Sequence, residues 1–168
     1  MGKQDEGLRL QRLVFYKDDV AAIDKLLFDF LKLASAKCAL MIDKDGHLVT
    51  RQGENPAYDT ETISALVAAS FSATKEMARL LGEEEFSIVF HQGKKDNIQL
   101  SLIGDRTILA VIFDDKTTIG MVRLYANQVS TKLAVLFEEM SMKKRDTTND
   151  IASGFGDAAK SKLDDLLG

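Results

Sequence analysis

Residues Asp59 to Gly82, DTETISALVAASFSATKEMARLLG, constrain this chain more than any other stretch. They read as one helix. Asp59 or Thr60 can cap it, Glu61 sits in its first turn and Gly82 supplies its stop. At 1.5 Å per residue it would be roughly 33 Å long. At 100° per residue, one face collects Ile63, Leu66, Val67, Ser70, Thr74, Met77, Ala78 and Leu81, with Phe71 at its margin. That face is expected on a core. The opposite face begins with Ala65, Ala68, Ala69 and Ser72, at helical spacing and without charge. Only Lys75, Glu76 and Arg79 restore the polarity of a solvated surface. Two explanations stand. Alanine favours helix wherever it occurs, or the helix is covered twice, once by its own domain and once by another molecule.

The segments around this helix supply that domain. Lys17–Ala34 carries Val20, Ile23, Leu26, Leu27, Phe30 and Leu31 at helical spacing, with Asp18 and Asp19 where the helix dipole favours acids. Lys37–Asp43 is apolar on both alternating faces and reads as an inner strand. Asp43–Gly46 is a tight turn, and His47–Gln52 returns as a more polar strand near an edge. After Gly82 the period changes to two. Phe86–Gln92, Asn97–Ile103 and Thr107–Phe113 form an antiparallel meander joined by Gly-containing turns. Thr107–Phe113 is apolar throughout and should be the most buried. A last helix from Thr117 or Thr118 to about Met140 repeats Ile119, Val122, Ala126, Val129, Leu133 and Leu136 at spacings of three and four. The order is α-β-β-α-β-β-β-α, an α+β class.

The ends are read separately. Residues 1–16 form a lead-in, 17–141 the domain and 142–168 a linker with a tail. Residues 146–156 have linker composition. The final DAAKSKLDDLLG places Leu163, Leu166 and Leu167 at helical spacing. At about 11 residues such a helix is too short to persist alone in water. It is either idle or a docking peptide that folds on a partner.

Function classes narrow by exclusion. Net charge is −4 and the pI is about 5.2, which disfavours nucleic acid or an anionic membrane as partner. No apolar run reaches the length of a membrane span, and MGKQDEGLRLQRL shows no secretory h-region. Together with a single cysteine, Cys38, this points to a cytoplasmic protein. His47 and His91 have no neighbours at metal-ligand spacing. No nucleophile elbow or phosphate-cradling glycine loop occurs. Asp114-Asp115 precedes a helix, where carboxylates cap. Asp43 and Asp45 lack the remaining ligands of a calcium loop. No cofactor or metal is expected, and the residues describe a binding module rather than an enzyme.

Six segments in order then carry a resemblance: LVFYKDD, IDKDGHLV, YDTETISALVAAS, LLGEEEF, FHQGKKDNIQLSLIGDR and VIFDDKTTIGMVRL. From about Leu13 to Glu138 the chain resembles the roadblock / dynein light-chain superfamily, and more closely its bacterial MglB-like branch. The resemblance implies a five-stranded antiparallel sheet of order 2-1-5-4-3, with one helix on one face and two on the other. It implies a homodimer, the third strand pairing with its copy through Phe86, Ile88 and Phe90 while the second helices lie side by side. It also implies a Ras-like small GTPase of the MglA type as partner, two protomers engaging one GTPase through Ala65, Ala68, Ala69, Ser72, Lys75, Glu76 and Arg79. The GTPase would be activated by reshaping its switches, with no arginine finger from this chain, in cell polarity or gliding motility. In such proteins a tail helix can dock elsewhere on the GTPase, which would fall to Leu163, Leu166 and Leu167. A roadblock scaffold that tethers a GTPase or motor complex without activating it is the alternative. A small-molecule sensor domain is a third reading, and would need a cavity in the sheet.

Overall fold

The computed structural model describes residues 17–55 and 57–167; the lead-in 1–16, with the first residues of LVFYKDD, lies outside them. The described residues divide into two compact units, 17–134 and 135–167.

In the first unit, helix α1 (Lys17–Ala34) is followed by strands β1 (Cys38–Asp43) and β2 (Leu48–Gly53), helix α2 (Thr60–Leu80), and strands β3 (Ile88–Gln92), β4 (Asn97–Ile103) and β5 (Thr107–Phe113). All pairings are antiparallel, and the sheet order is β2-β1-β5-β4-β3. The expected topology is therefore the observed one. Register explains the two inner strands. Leu40 lies between Arg51 of β2 and Ala110 of β5, and Ala110 in turn faces Leu100 of β4. Every residue of β5 is buried, as a strand covered on both faces requires.

Alternation sorts the sheet into two layers. Cys38, Leu40, Ile42, Leu100, Ile108, Ala110 and Ile112 form one cluster with Val67 and Phe71 of α2. The opposite side carries Ala39, Met41, Leu109, Val111 and Phe113, all buried. It is covered by Ile23, Leu27 and Phe30 of α1 and by the start of the last helix, whose Val122, Ala126 and Val129 are buried. The two helices share a groove lined by Phe30, Leu33, Tyr125 and Val129.

Two turns fix the ends of α2. Asp43 Oδ1 accepts the backbone N–H of Asp45 and of His47, each at 2.9 Å, closing the β1–β2 hairpin. Gly46 within it has φ +93°, and a Cβ there would lie 3.0 Å from the Ala65 Cα. The hairpin tip thus rests on the backbone of α2. At the other end Gly82, φ +80°, terminates the helix: Glu83 N–H reaches Ala78 O at 2.9 Å and Gly82 N–H reaches Arg79 O at 3.2 Å.

Two boundaries differ from the sequence reading by more than one residue. β3 starts at Ile88 rather than Phe86, although Ser87 O still accepts Leu102 N–H at 2.9 Å. The last helix, α3, spans Ile119–Leu167 and does not stop near Met140. Thr118 Oγ1 caps it by accepting Met121 N–H at 3.2 Å. Residues 146–156, assigned to a linker on composition, are helical. They contain neither a proline nor a positive-φ glycine to end the helix. Thr147 and Thr148 turn their hydroxyls back to Lys143 O and Lys144 O, at 2.9 and 2.8 Å, so they do not compete with the helical ladder.

The glycine contacts separate strain from steric contact. Gly82→Ala has open space and should lose only the left-handed penalty, about 1 kcal/mol. Gly46→Ala adds a contact with helix backbone and should cost more, about 2–3 kcal/mol. Urea unfolding of the two variants measures the difference.

Candidate protein-binding face

Helix α2 is rolled on the sheet by about 80° from the face expected on apolar spacing. Its buried residues are Ser64, Val67, Ala68, Phe71 and Ala78. Leu66 and Met77, expected in the core, are 62% and 52% exposed, and Leu81 beyond the helix end is 73% exposed. Ser64 misled the reading. It is fully buried, yet its hydroxyl donates to Thr60 O at 2.6 Å, so a polar residue packs at no unpaired cost.

The small residues divide accordingly. Ala68 does not face outward: it is 5% exposed and packs with Ala65 beneath Gly46. Those two alanines are small because the hairpin tip needs the room. Ala69 and Ser72 are exposed, as expected. The outward apolar stripe is instead Leu66, Ala69, Ala73, Met77 and Leu80, spaced three, four, four and three. Leu66 and Met77 were expected in the core, whereas Ala69 was expected to face outward. The spacing was readable; the roll of the helix was not.

Beside this stripe lies β3. Among the described residues it pairs with β4 alone, so its other edge presents unpaired backbone groups. Ile88 is exposed. Phe90 is half-buried and stacks on Phe113, ring centroids 6.1 Å apart, so it belongs partly to the core. Phe86, just before the strand, is half-buried. His91 and Ile98 form one wall, and Ile63, Leu66 and Ser70 the other, of an apolar depression of about 230 Å³ between the sheet edge and α2. The stripe, the depression and the strand edge are continuous.

The charged end of α2 is internally paired. Arg79 Nε donates to Glu76 Oε1 at 2.9 Å, and Lys75 Nζ lies 3.6 Å from Glu85 Oε1. All three helix residues are exposed, so these pairs contribute little to stability and can be exchanged for intermolecular ones. Lys44, Lys75, Glu85 and Asp105 rim a second hollow of about 280 Å³ above Ala68 and Phe71.

At the other end, Asp59 caps α2. Its carboxylate accepts the Thr62 hydroxyl at 2.6 Å and Glu61 N–H at 3.2 Å, which hold its pKa below the usual carboxylate range. Just before it, burial pushes the Tyr58 phenol up to about 12. Asp114 Oδ1 accepts Lys116 N–H at 3.0 Å, a turn cap rather than half of an acid pair. Leu163 and Leu166 are exposed on α3. Among the described residues, no three His, Cys, Asp or Glu side chains are grouped to hold a metal, and no helix is long and apolar enough to cross a membrane.

Residues 22–113 match the family model of the Roadblock/LC7 domain. The chain belongs to the Roadblock/LC7 family. Within it the chain is MglB-like. It is 35% identical to Myxococcus xanthus MglB, with TM-score 0.72, over 76% of this chain and 96% of that one. The gliding protein MglB of Thermus thermophilus is 29% identical, with TM-score 0.71, over 75% and 96% of the two chains. A protein of Methanocaldococcus jannaschii is 24% identical over 115 residues, 68% of this chain and 99% of its own.

The roll of α2 separates two neighbouring alanines. Ala68→Glu should lower stability by several kcal/mol, because it places a charge in the core. Ala69→Glu should leave urea stability within about 0.5 kcal/mol, because its side chain stands in solvent. Asp59 gives the pH dependence. Its folded pKa is depressed, so its stabilisation is complete above the unfolded value of about 3.9 and is lost as pH falls through the folded value. Asp59→Ala should therefore melt well below the parent at about pH 7, and the gap should close in strong acid.

Proposed function

We propose that this protein is a homodimeric activator of a Ras-like small GTPase of the MglA type, at work in cell polarity or gliding motility in the cytoplasm. The observation that carries the reading is the outward stripe Leu66–Leu80 beside an unpaired strand edge. An apolar surface of this kind, continuous with free backbone donors and acceptors, calls for protein rather than small-molecule cover. The relationship to Myxococcus xanthus MglB supports the choice of partner.

In this reading two copies join through β3 and α2 and present paired second helices to one GTPase. The contacts that choose the GTPase fall to Ala65, Ala69, Ser72, Lys75, Glu76 and Arg79, while Ile88 and the outer edge of β3 join the copies. The chain contributes no catalytic group of its own and no arginine finger. Activation is a population shift. The dimer binds the switch conformation in which the GTPase's own arginine and glutamine meet the γ-phosphate, and binds the resting one less tightly. Raising a competent state from about 1% to about 99% takes about a 10⁴-fold preference. A shallow, partly apolar surface with exchangeable ion pairs at one end suits that discrimination.

The test is GTP turnover by the cognate GTPase with and without this protein. Acceleration that saturates at two protomers per GTPase, and is lost in Ala69→Glu, is the expected result. Binding without acceleration would leave a tethering scaffold.

A further inference from the structure

The second unit holds the described residues 135–167, all within helix α3. Ile151, Phe155, Leu163 and Leu166 are 67%, 77%, 59% and 82% exposed. At 100° per residue they fall within an arc of about 120°, with Ala159 among them and Ala158 just outside its edge. The same stretch includes Gly154 and Gly156, each costing about 1 kcal/mol of helix propensity relative to alanine. A helix with this apolar arc and two glycines gains its stability from packing rather than from propensity.

The charges choose the occupant. Lys143, Lys144 and Arg145 form a basic run at one end, and Asp164 and Asp165 an acidic pair at the other. Two tails laid parallel would set each run against its own copy. Laid antiparallel and centred on Phe155, they set Arg145 of one level with Asp165 of the other and Lys144 within about 3 Å of Asp164 along the axis, against a single like pair, Asp146 beside Asp164. Ile151 then falls level with Ala159, large against small, and Phe155 meets its own copy. Like charges opposed in one orientation and opposite charges in the other specify direction as well as partner. We propose that residues 143–166 pair with the same residues of a second copy as an antiparallel two-helix coil, a self-association surface separate from α2 and β3.

Disulfide trapping tests the partner and the register together. Thr148 and Lys162 are exposed, lie on the apolar arc, and fall level across the antiparallel pair. Cys38 is buried and stays out of the reaction. Full-length Thr148→Cys and Lys162→Cys proteins, each oxidised alone, should give little cross-linking, since identical positions lie about 21 Å apart along the pair. Mixed, they should give the heterodisulfide in high yield. Asp164→Lys with Asp165→Lys should cut that yield severalfold, and adding Lys143→Glu, Lys144→Glu and Arg145→Glu should restore it. Cross-linking of each single variant would show a parallel pair and overturn the proposal. So would an uncross-linked mixture whose tail remains helical by circular dichroism, or one whose tail is unfolded. GTP turnover is read separately in these variants, so a failed tail pairing leaves the α2 reading intact.

Discussion

The contact between the β1–β2 hairpin tip and the backbone of α2 sets the rest of this structure. Gly46 sits so close to Ala65 that even a methyl group would press on helix backbone. A side chain-free turn against a small-residue helix face allows only a narrow range of roll about the helix axis. With the roll fixed, Ser64, Val67, Ala68 and Phe71 must meet the sheet, and Leu66, Met77 and Leu80 must leave it. The exposed stripe is thus a consequence of how the helix is seated, not a surplus of apolar residues on an otherwise solvated surface.

That seating also joins two surfaces of different chemistry. The stripe offers apolar area without direction; the edge of β3 offers backbone hydrogen bonds with strict register. Their continuity across the depression at His91 and Ile98 allows one partner to use both. Phe90, stacked on Phe113, ties the edge strand to the core and keeps it ordered without a second neighbour. The paired charges at the end of α2 add a patch that can change partners at little cost.

Much of the fold was legible in the sequence. The all-apolar runs of β1 and β5, the shift of period after Gly82, the Asp59 cap and the glycine stop defined the elements, and the resemblance supplied their order. The candidate face was half legible. A surplus of apolar residues on α2 was visible, but its direction depended on a tertiary contact. Ser64 looked polar and is buried; Leu66 looked like core and is exposed. Hydrophobic spacing defines a stripe but cannot say which of two stripes meets the sheet when one of them uses serine and alanine. The extent of α3 was hidden for another reason. Gly, Ser and Thr lower helix propensity without forbidding helix, so composition read a weak helix as a linker.

The central claim is that Leu66, Met77 and Leu80 are solvent-facing in the single chain and covered in the working assembly. Solvent paramagnetic relaxation of their methyl groups, followed as protein concentration is raised, measures this directly, with the core methyls of Leu27 as reference. The account predicts strong relaxation in dilute solution that falls to the level of Leu27 as the mass doubles. Relaxation that stays high in a protein of doubled mass, in a variant whose tail pairing is broken by Asp164→Lys and Asp165→Lys, would contradict it, because the copies would then be joined with the stripe left in solvent.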